Sequence, residues 1–110
     1  LLARALSVEA PVLIADEPLA APDPGHQLAT MELLRRFAAA GRLVVVVMHD
    51  LSMASRFCDR LLLLSQGRLV ADGHSAEVLG EDQLRHVYGV EALVGHHLGQ
   101  RYVLPWRGVD

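Results

Sequence analysis

Acidic and histidine side chains directly follow two apolar runs of this 110-residue chain. The first run, Val12 to Ala15, ends at Asp16 and Glu17, and the second, Leu43 to Met48, ends at His49. Each run has the length and composition of a parallel strand that is buried on both faces. The carboxyl ends of neighbouring parallel strands form the edge at which α/β sheets bind ligands. The sequence therefore predicts a carboxylate pair and an imidazole together at one ligand-binding edge.

A helix is predicted after each of the two runs. Asp23 is a suitable N-cap, Pro24 suits a first helical turn, and apolar residues then recur every three or four positions until Gly41. Asp50 is a suitable N-cap for a second helix over Leu51 to Phe57. Strand, helix and strand together predict a right-handed crossover unit in an α/β fold.

The rest of the chain predicts two hairpins separated by short helices. The dipeptide Gln66-Gly67 lies between two apolar runs and favours an edge hairpin, and Gly80 and Gly89 break the helical signals that follow. The tail around residues 95–99 favours a small second hairpin, with Tyr102 and Trp106 packing as anchors. We assign residues 91–110 to a carboxyl-terminal tail that contains this second hairpin.

Composition excludes several classes of function. The chain is 52% hydrophobic with a formal net charge of -3, and its ten basic residues are scattered, so no nucleic-acid interface is expected. All ten are Arg, so any chemistry that needs a lysine ammonium is excluded within this sequence. A single Cys58 excludes an internal disulfide. No apolar run is long enough to span a bilayer. The chain begins at Leu1 and not at Met, so a longer protein is expected.

Three segments together resemble the second half of an ABC transporter ATP-binding subunit. Residues 13–18, Leu-Ile-Ala-Asp-Glu-Pro, resemble the Walker B motif. Residues 20–23, Ala-Ala-Pro-Asp, occupy the D-loop position, and residues 47–51, Val-Met-His-Asp-Leu, contain a histidine at the switch position. The resemblance extends over about residues 1–90 and implies that they form the carboxyl-terminal half of an ABC ATPase nucleotide-binding domain, with a partial P-loop NTPase-type sheet truncated at its amino end. It is closest to importers of iron-siderophore, haem and cobalamin. An acidic pair alone would fit a polar turn that ends a core strand, but the three segments in this order favour the catalytic interpretation.

The resemblance implies a role for each candidate residue. Asp16 is expected to bind Mg²⁺ through water, and Glu17 to act as the general base toward the attacking water. His49 is expected to hydrogen-bond the γ-phosphate of ATP, and Asp23 to communicate across a nucleotide-sandwiched dimer. The cofactors implied are ATP and Mg²⁺.

The resemblance also implies partners and a location. These are a second ATPase subunit in a homodimer, transmembrane permease subunits and, indirectly, a solute-binding protein. The subunit is expected to be cytoplasmic and peripheral on the inner face of the cell membrane. Coupling of ATP hydrolysis to solute uptake, of metal-chelate type, is the expected function.

The sequence departs from the family pattern in two respects. Ala20 and Pro22 replace the usual serine and leucine of the D-loop, and Pro22 lacks a backbone donor, which is expected to disturb contacts across the dimer. The glycine-rich phosphate loop, the glutamine loop and the signature motif are absent from these residues. The 110 residues alone are therefore expected to be a fragment that binds ATP weakly or not at all.

Two other functions remain open at this point. The chain could be a non-catalytic interaction or regulatory module that keeps the dimer- or partner-contacting half of the fold. A phosphoacceptor receiver domain also gathers carboxylates at a strand edge, but it normally needs a lysine in that pocket, and this sequence has none.

Overall fold

Residues 12–16 and 23–109 are described by a computed structural model of the chain. Contacts divide the chain into two units, one up to His49 and one from Asp50 onward. The first unit contains β1 (Val12–Asp16), α1 (Pro24–Ala39) and β2 (Leu43–Val47). The second unit contains α2 (Leu51–Phe57), β3 (Leu61–Ser65), β4 (Arg68–Gly73), α3 (Ser75–Val78), α4 (Glu81–Tyr88), β5 (Val90–His97) and β6 (Gln100–Gly108). The predicted α/β class is confirmed, with small two-stranded sheets.

The first unit is the predicted strand–helix–strand segment. β1 and β2 pair in parallel, from Val12 opposite Leu43 to Asp16 opposite Val47. α1 begins where the sequence predicts, because Pro24 occupies the first turn and the Asp23 carboxylate accepts a hydrogen bond from the Gly25 amide at 3.0 Å. Local signals therefore determine both ends of the connection between the two strands.

Burial in the first unit differs from the prediction. Leu13 and Ala15 are 4% and 5% exposed, but Val12 and Ile14 are 44% and 68% exposed. Alternate residues of a strand point to opposite faces, so only one face of β1 is covered by the described residues. The expectation of a strand buried on both faces is therefore wrong within this part of the chain.

Among the described residues, the larger group of buried apolar side chains belongs to the second unit. The first hairpin turns at Gln66-Gly67, where φ angles of 51° and 74° match the type I′ turn that joins twisted strands. β3 alternates between buried and exposed residues, and α3, α4 and β6 contribute the remaining core side chains. The core cluster consists of Leu61, Leu63, Val78, Leu79, Leu84 and Val103.

The tail forms the second predicted hairpin, whose two strands are longer than expected. β5 and β6 pair antiparallel from Val90 opposite Gly108 to His97 opposite Gln100. Val103 on β6 is 1% exposed and belongs to the core, so the tail packs with the helices of this unit. Trp106, by contrast, is 73% exposed, and its predicted role as a packing anchor is wrong.

No described helix combines the length and the apolar character needed to cross a lipid bilayer.

Candidate functional site

The parallel register places two of the predicted site residues at the same edge of one sheet. Asp16 is the last residue of β1, and its pairing partner is Val47, the last residue of β2. His49 follows Val47 by two residues. Both Asp16 and His49 are exposed, so a ligand at this edge has access to a carboxylate and an imidazole.

The Asp16 carboxylate belongs to the exposed face of β1. It shares this face with Val12 and Ile14, because side chains on a strand alternate between its faces. Among the described residues, no group of three or more His, Cys, Asp or Glu side chains gathers to hold a metal ion. The Asp16 carboxylate is an oxygen donor that fits Mg²⁺. This ion usually keeps several waters and binds through one or two carboxylates together with substrate phosphates.

Asp23 has a structural role of its own at the start of α1. Its carboxylate accepts a hydrogen bond from the Gly25 amide, and its carbonyl accepts one from the Gln27 amide at 3.0 Å. The Asp23 carboxylate therefore satisfies one orphan donor of the first helical turn, and its carbonyl accepts the first intrahelical hydrogen bond. Its carboxylate is also exposed, so a second contact with an external group remains sterically open.

Glu17, the predicted general base, lies outside the described residues, as do the D-loop residues Ala20 and Pro22. The described part of the site therefore consists of Asp16, His49 and Asp23.

In the second unit, α2 is held by one polar contact that the sequence predicted and by another that sequence reasoning missed. The Asp50 carboxylate accepts a hydrogen bond from the Met53 amide at 3.0 Å and caps the helix, as predicted. The Ser52 hydroxyl donates to the Val103 carbonyl at 2.7 Å and accepts from the Val103 amide at 3.0 Å. The only sequence signal for this contact is a small polar residue near the apolar positions of a short helix.

A second missed residue, Arg101, joins β6 to α3. Its Nη1 donates to the Ser75 hydroxyl at 2.8 Å and to the Ser75 carbonyl at 3.2 Å, and its Nη2 donates to the Leu79 carbonyl at 2.9 Å. The Ser75 hydroxyl also lies 2.5 Å from that of Ser55 on α2. Partial burial lowers the pKa of Arg101, an effect that the negative charge of Glu81 opposes. Arg101 therefore connects three elements of this unit.

Exposed ion pairs link other neighbouring segments of the second unit. Arg60 binds both carboxylate oxygens of Asp72, at 2.7 and 2.6 Å. Glu91 is bound by Arg107 at 2.6 Å and by Arg85 at 3.3 Å. The hydrogen bonds from these Arg side chains lower the pKa of Asp72 and of Glu91 from their ordinary values.

Comparison with known proteins relates the chain to transport ATPases. Hemin import ATP-binding protein HmuV of Rhodococcus jostii RHA1 is 45% identical over 108 residues, which is 96% of this chain and 37% of that protein. The HmuV protein of Pseudomonas aeruginosa PAO1 is 49% identical over 86 residues, 78% of this chain and 34% of that protein. The HmuV protein of Bordetella avium 197N is 52% identical over 88 residues, 77% of this chain and 33% of that protein.

The chain is homologous to the ATP-binding subunits of ABC importers. It matches their carboxyl-terminal part and spans about a third of their length. No family model matches the chain.

Solved structures agree with this homology. A putative metal-chelate type ABC transporter in an inward-facing conformation matches 96% of this chain and 44% of its own chain, with a TM-score of 0.79. Its sequence is 21% identical, so this likeness shows the fold alone. The protein cbiO1 of Clostridium perfringens, part of the ABC transporter complex cbiONQ, is 30% identical with a TM-score of 0.60, over 71% of this chain and 32% of that protein. The chain therefore has the fold of one part of an ABC ATPase domain.

Proposed function

We propose that this chain supplies the hydrolytic edge of an ABC importer ATPase, with Asp16, Glu17 and His49 as its site residues. The observation that carries the proposal is the parallel pairing of Asp16 with Val47, which ends both strands at one edge two residues before His49. The 39–52% identity to hemin import ATP-binding proteins supports the same assignment.

Asp16 would hold Mg²⁺ through an intervening water. Its exposed carboxylate at the strand end is the type of ligand that this ion accepts. When bound with ATP, Mg²⁺ would supply positive charge that offsets the negative charge developing during phosphoryl transfer. Asp16 would contribute a negative charge that helps to hold the metal ion at this edge.

Glu17 would accept the proton of the attacking water. It directly follows Asp16 in the sequence, so one carboxylate can serve the metal while its neighbour faces the water. A positioned general base of this type raises the reaction rate by a factor on the order of 10² to 10⁴. His49 would hydrogen-bond a γ-phosphate oxygen and hold the water in line with the bond that breaks.

The proposed partners follow from this assignment. A second copy of the subunit would face the nucleotide, and Asp23 would act across that dimer. Permease subunits in the membrane would be driven by ATP hydrolysis in this subunit. A solute-binding protein would deliver the solute to them on the outer side of the membrane. The ATPase would then work from the cytoplasm, on the inner face of the membrane.

The proposed solute is a metal chelate, with hemin the first compound to test. Relatives from Rhodococcus jostii, Pseudomonas aeruginosa and Bordetella avium are named for hemin import. A structural neighbour is a metal-chelate type transporter.

A chimaeric subunit tests the hydrolytic assignment. The chain would replace the matched carboxyl-terminal region of the Rhodococcus jostii protein, which provides the remainder of that subunit. We expect the chimaera to hydrolyse ATP and Glu17→Gln to lower its kcat by about 10² or more, because the general base is lost. Asp16→Asn is expected to weaken Mg²⁺-dependent ATP binding as well.

Glu32→Gln is the matched control, because Glu32 is an exposed carboxylate on α1 away from the strand end. It should leave kcat unchanged. A folded, ATP-binding chimaera whose kcat is insensitive to Glu17→Gln would contradict the assignment and would favour a non-catalytic interaction module.

A further inference from the structure

An open hollow of about 660 Å³ lies in the second unit, where the first hairpin meets α4. It is lined by Ser65, Gln66, Arg68, Val70, His86 and Val87. None of the proposed hydrolytic residues belongs to this unit or to this lining.

The hollow begins where the inner face of the hairpin changes from apolar to polar. Leu61 and Leu63 are buried on this face, and Ser65, the next residue on it, is half-buried. Ser65 pairs with Arg68 across the hairpin, which adds a guanidinium beside the hydroxyl. Arg68 is exposed and Ser65 is half-buried, so a small solute can reach both side chains.

Within residues 12–16 and 23–109, the side chains of Ser65, Gln66, Arg68 and His86 form no ion pair or hydrogen bond with one another or with any other residue. Four hydrogen-bond donors thus face one space, and Arg68 adds a permanent positive charge.

The charge of the hollow has one sign. Its lining includes no Asp or Glu, although the chain has 13 acidic residues against ten Arg. Arg85 and Arg107 share the Glu91 carboxylate and Arg60 binds Asp72, whereas Arg68 has no carboxylate partner among the described residues. Arg68 thus remains available to an external anion.

We propose that this hollow binds a small molecule through a phosphate or carboxylate group. The Arg68 guanidinium would bind two oxygens of the anion, which is the geometry in which guanidinium and oxyanion pair best. His86, Ser65 and Gln66 would hydrogen-bond the remaining oxygens, and Val70 and Val87 would contact the apolar part of the ligand. The site is separate from the proposed ATP-hydrolysing edge.

The probes are inorganic phosphate and acetate, titrated separately into the ¹⁵N-labelled full chain at constant ionic strength. We expect saturable amide shifts confined to residues 65–68 and 86–87. Arg68→Gln should weaken the affinity by about tenfold or more, because a charge-assisted hydrogen bond is lost. His86→Gln should weaken it by a smaller factor.

Arg36→Gln is the matched control, because Arg36 is an exposed Arg on α1 in the other unit. It should leave the affinity unchanged, and the spectrum of each variant shows whether it is folded. Shifts with phosphate alone would assign a phosphate-bearing ligand, and shifts with acetate alone a carboxylate-bearing one. Absence of saturable shifts with both anions, or equal weakening by Arg68→Gln and Arg36→Gln, would overturn the proposal.

Discussion

The Ser52 side chain forms two hydrogen bonds with the backbone of Val103. Its hydroxyl donates to the Val103 carbonyl at 2.7 Å and accepts from the Val103 amide at 3.0 Å. Ser52 lies on α2 and Val103 on β6, so a single side chain joins the first helix of the second unit to its last strand. Val103 is 1% exposed, which places this contact beside the core.

Ser52→Ala should therefore lower the free energy of unfolding. The substitution leaves the amide and carbonyl of Val103 without this partner, at a cost of about 1–3 kcal/mol. Urea denaturation followed by circular dichroism measures the change. Ser65→Ala is the control, because the Ser65 hydroxyl has no partner among the described residues, and it should change stability by no more than about 0.5 kcal/mol. Equal effects of the two substitutions would contradict the role of Ser52.

Gly95 should not tolerate alanine, because Tyr102 packs directly over it. The two residues are paired across β5 and β6, and a Cβ on Gly95 would overlap the Tyr102 hydroxyl and ring. Gly95→Ala is expected to destabilise the second unit by about 1–3 kcal/mol through overpacking. Thermal unfolding checks this.

Gly25→Ala is the control, since a Cβ on Gly25 would meet only ordinary van der Waals contact at 3.6 Å. In a double-mutant cycle, Tyr102→Leu should relieve part of the cost of Gly95→Ala. Strictly additive effects of the two substitutions would argue against the overlap.

Acid should weaken the pairing of β5 with β6 through Glu91. Hydrogen bonds from Arg107, with the charges of Arg107 and Arg85, lower the pKa of Glu91 from its ordinary value of 4.5. Because the folded pKa is depressed, the contribution of Glu91 is present above its unfolded pKa and is lost as pH falls through the folded one. Stability should thus decline from about pH 4.5 downward.

Glu91→Gln should make this decline shallower, as measured by melting temperature between neutral pH and pH 3. Glu32→Gln is the control, because Glu32 on α1 has no ion-pair partner among the described residues, and it should leave the decline unchanged. High salt should reduce the difference between the parent chain and Glu91→Gln, since the pair is exposed. If the melting temperature depended on pH identically in the parent chain and in Glu91→Gln, the proposed contribution of Glu91 to stability would be refuted.

The 110-residue chain alone should bind ATP weakly or not at all. It contains neither a glycine-rich phosphate loop nor any lysine, so the nucleotide phosphates lack the groups that usually hold them. Isothermal titration calorimetry with Mg-ATP measures this. The chimaera with the Rhodococcus jostii protein is the positive control, and a micromolar Kd for the chain alone would show that the prediction is wrong.

Most elements of the fold were predictable because their signals are local. Asp23 and Asp50 cap the helices that directly follow them, and Gln66-Gly67 forms the turn of the first hairpin with positive φ angles. The second hairpin was placed correctly but predicted too short, since the ladder continues through the polar residues His96 and His97. Hydrophobic pattern alone underestimates strands whose outer residues are polar and exposed.

The candidate site was only partly predictable. The order of apolar runs and polar ends predicted that Asp16 and His49 share an edge, and the parallel register agrees with it. The polar hollow around Arg68 and His86 was not predicted, because Arg68 and His86 are 18 positions apart and no sequence pattern links them.

The sequence by itself determined the order of the elements, their caps and turns, and the identity of the residues at the strand ends. Each of these depends on interactions within a few residues. Only the tertiary structure decided that Ser52 binds Val103 and that Arg101 binds Ser75, because these partners are 51 and 26 residues apart. It also decided that one face of β1 is exposed, since burial depends on which elements pack together and not on the strand's own composition.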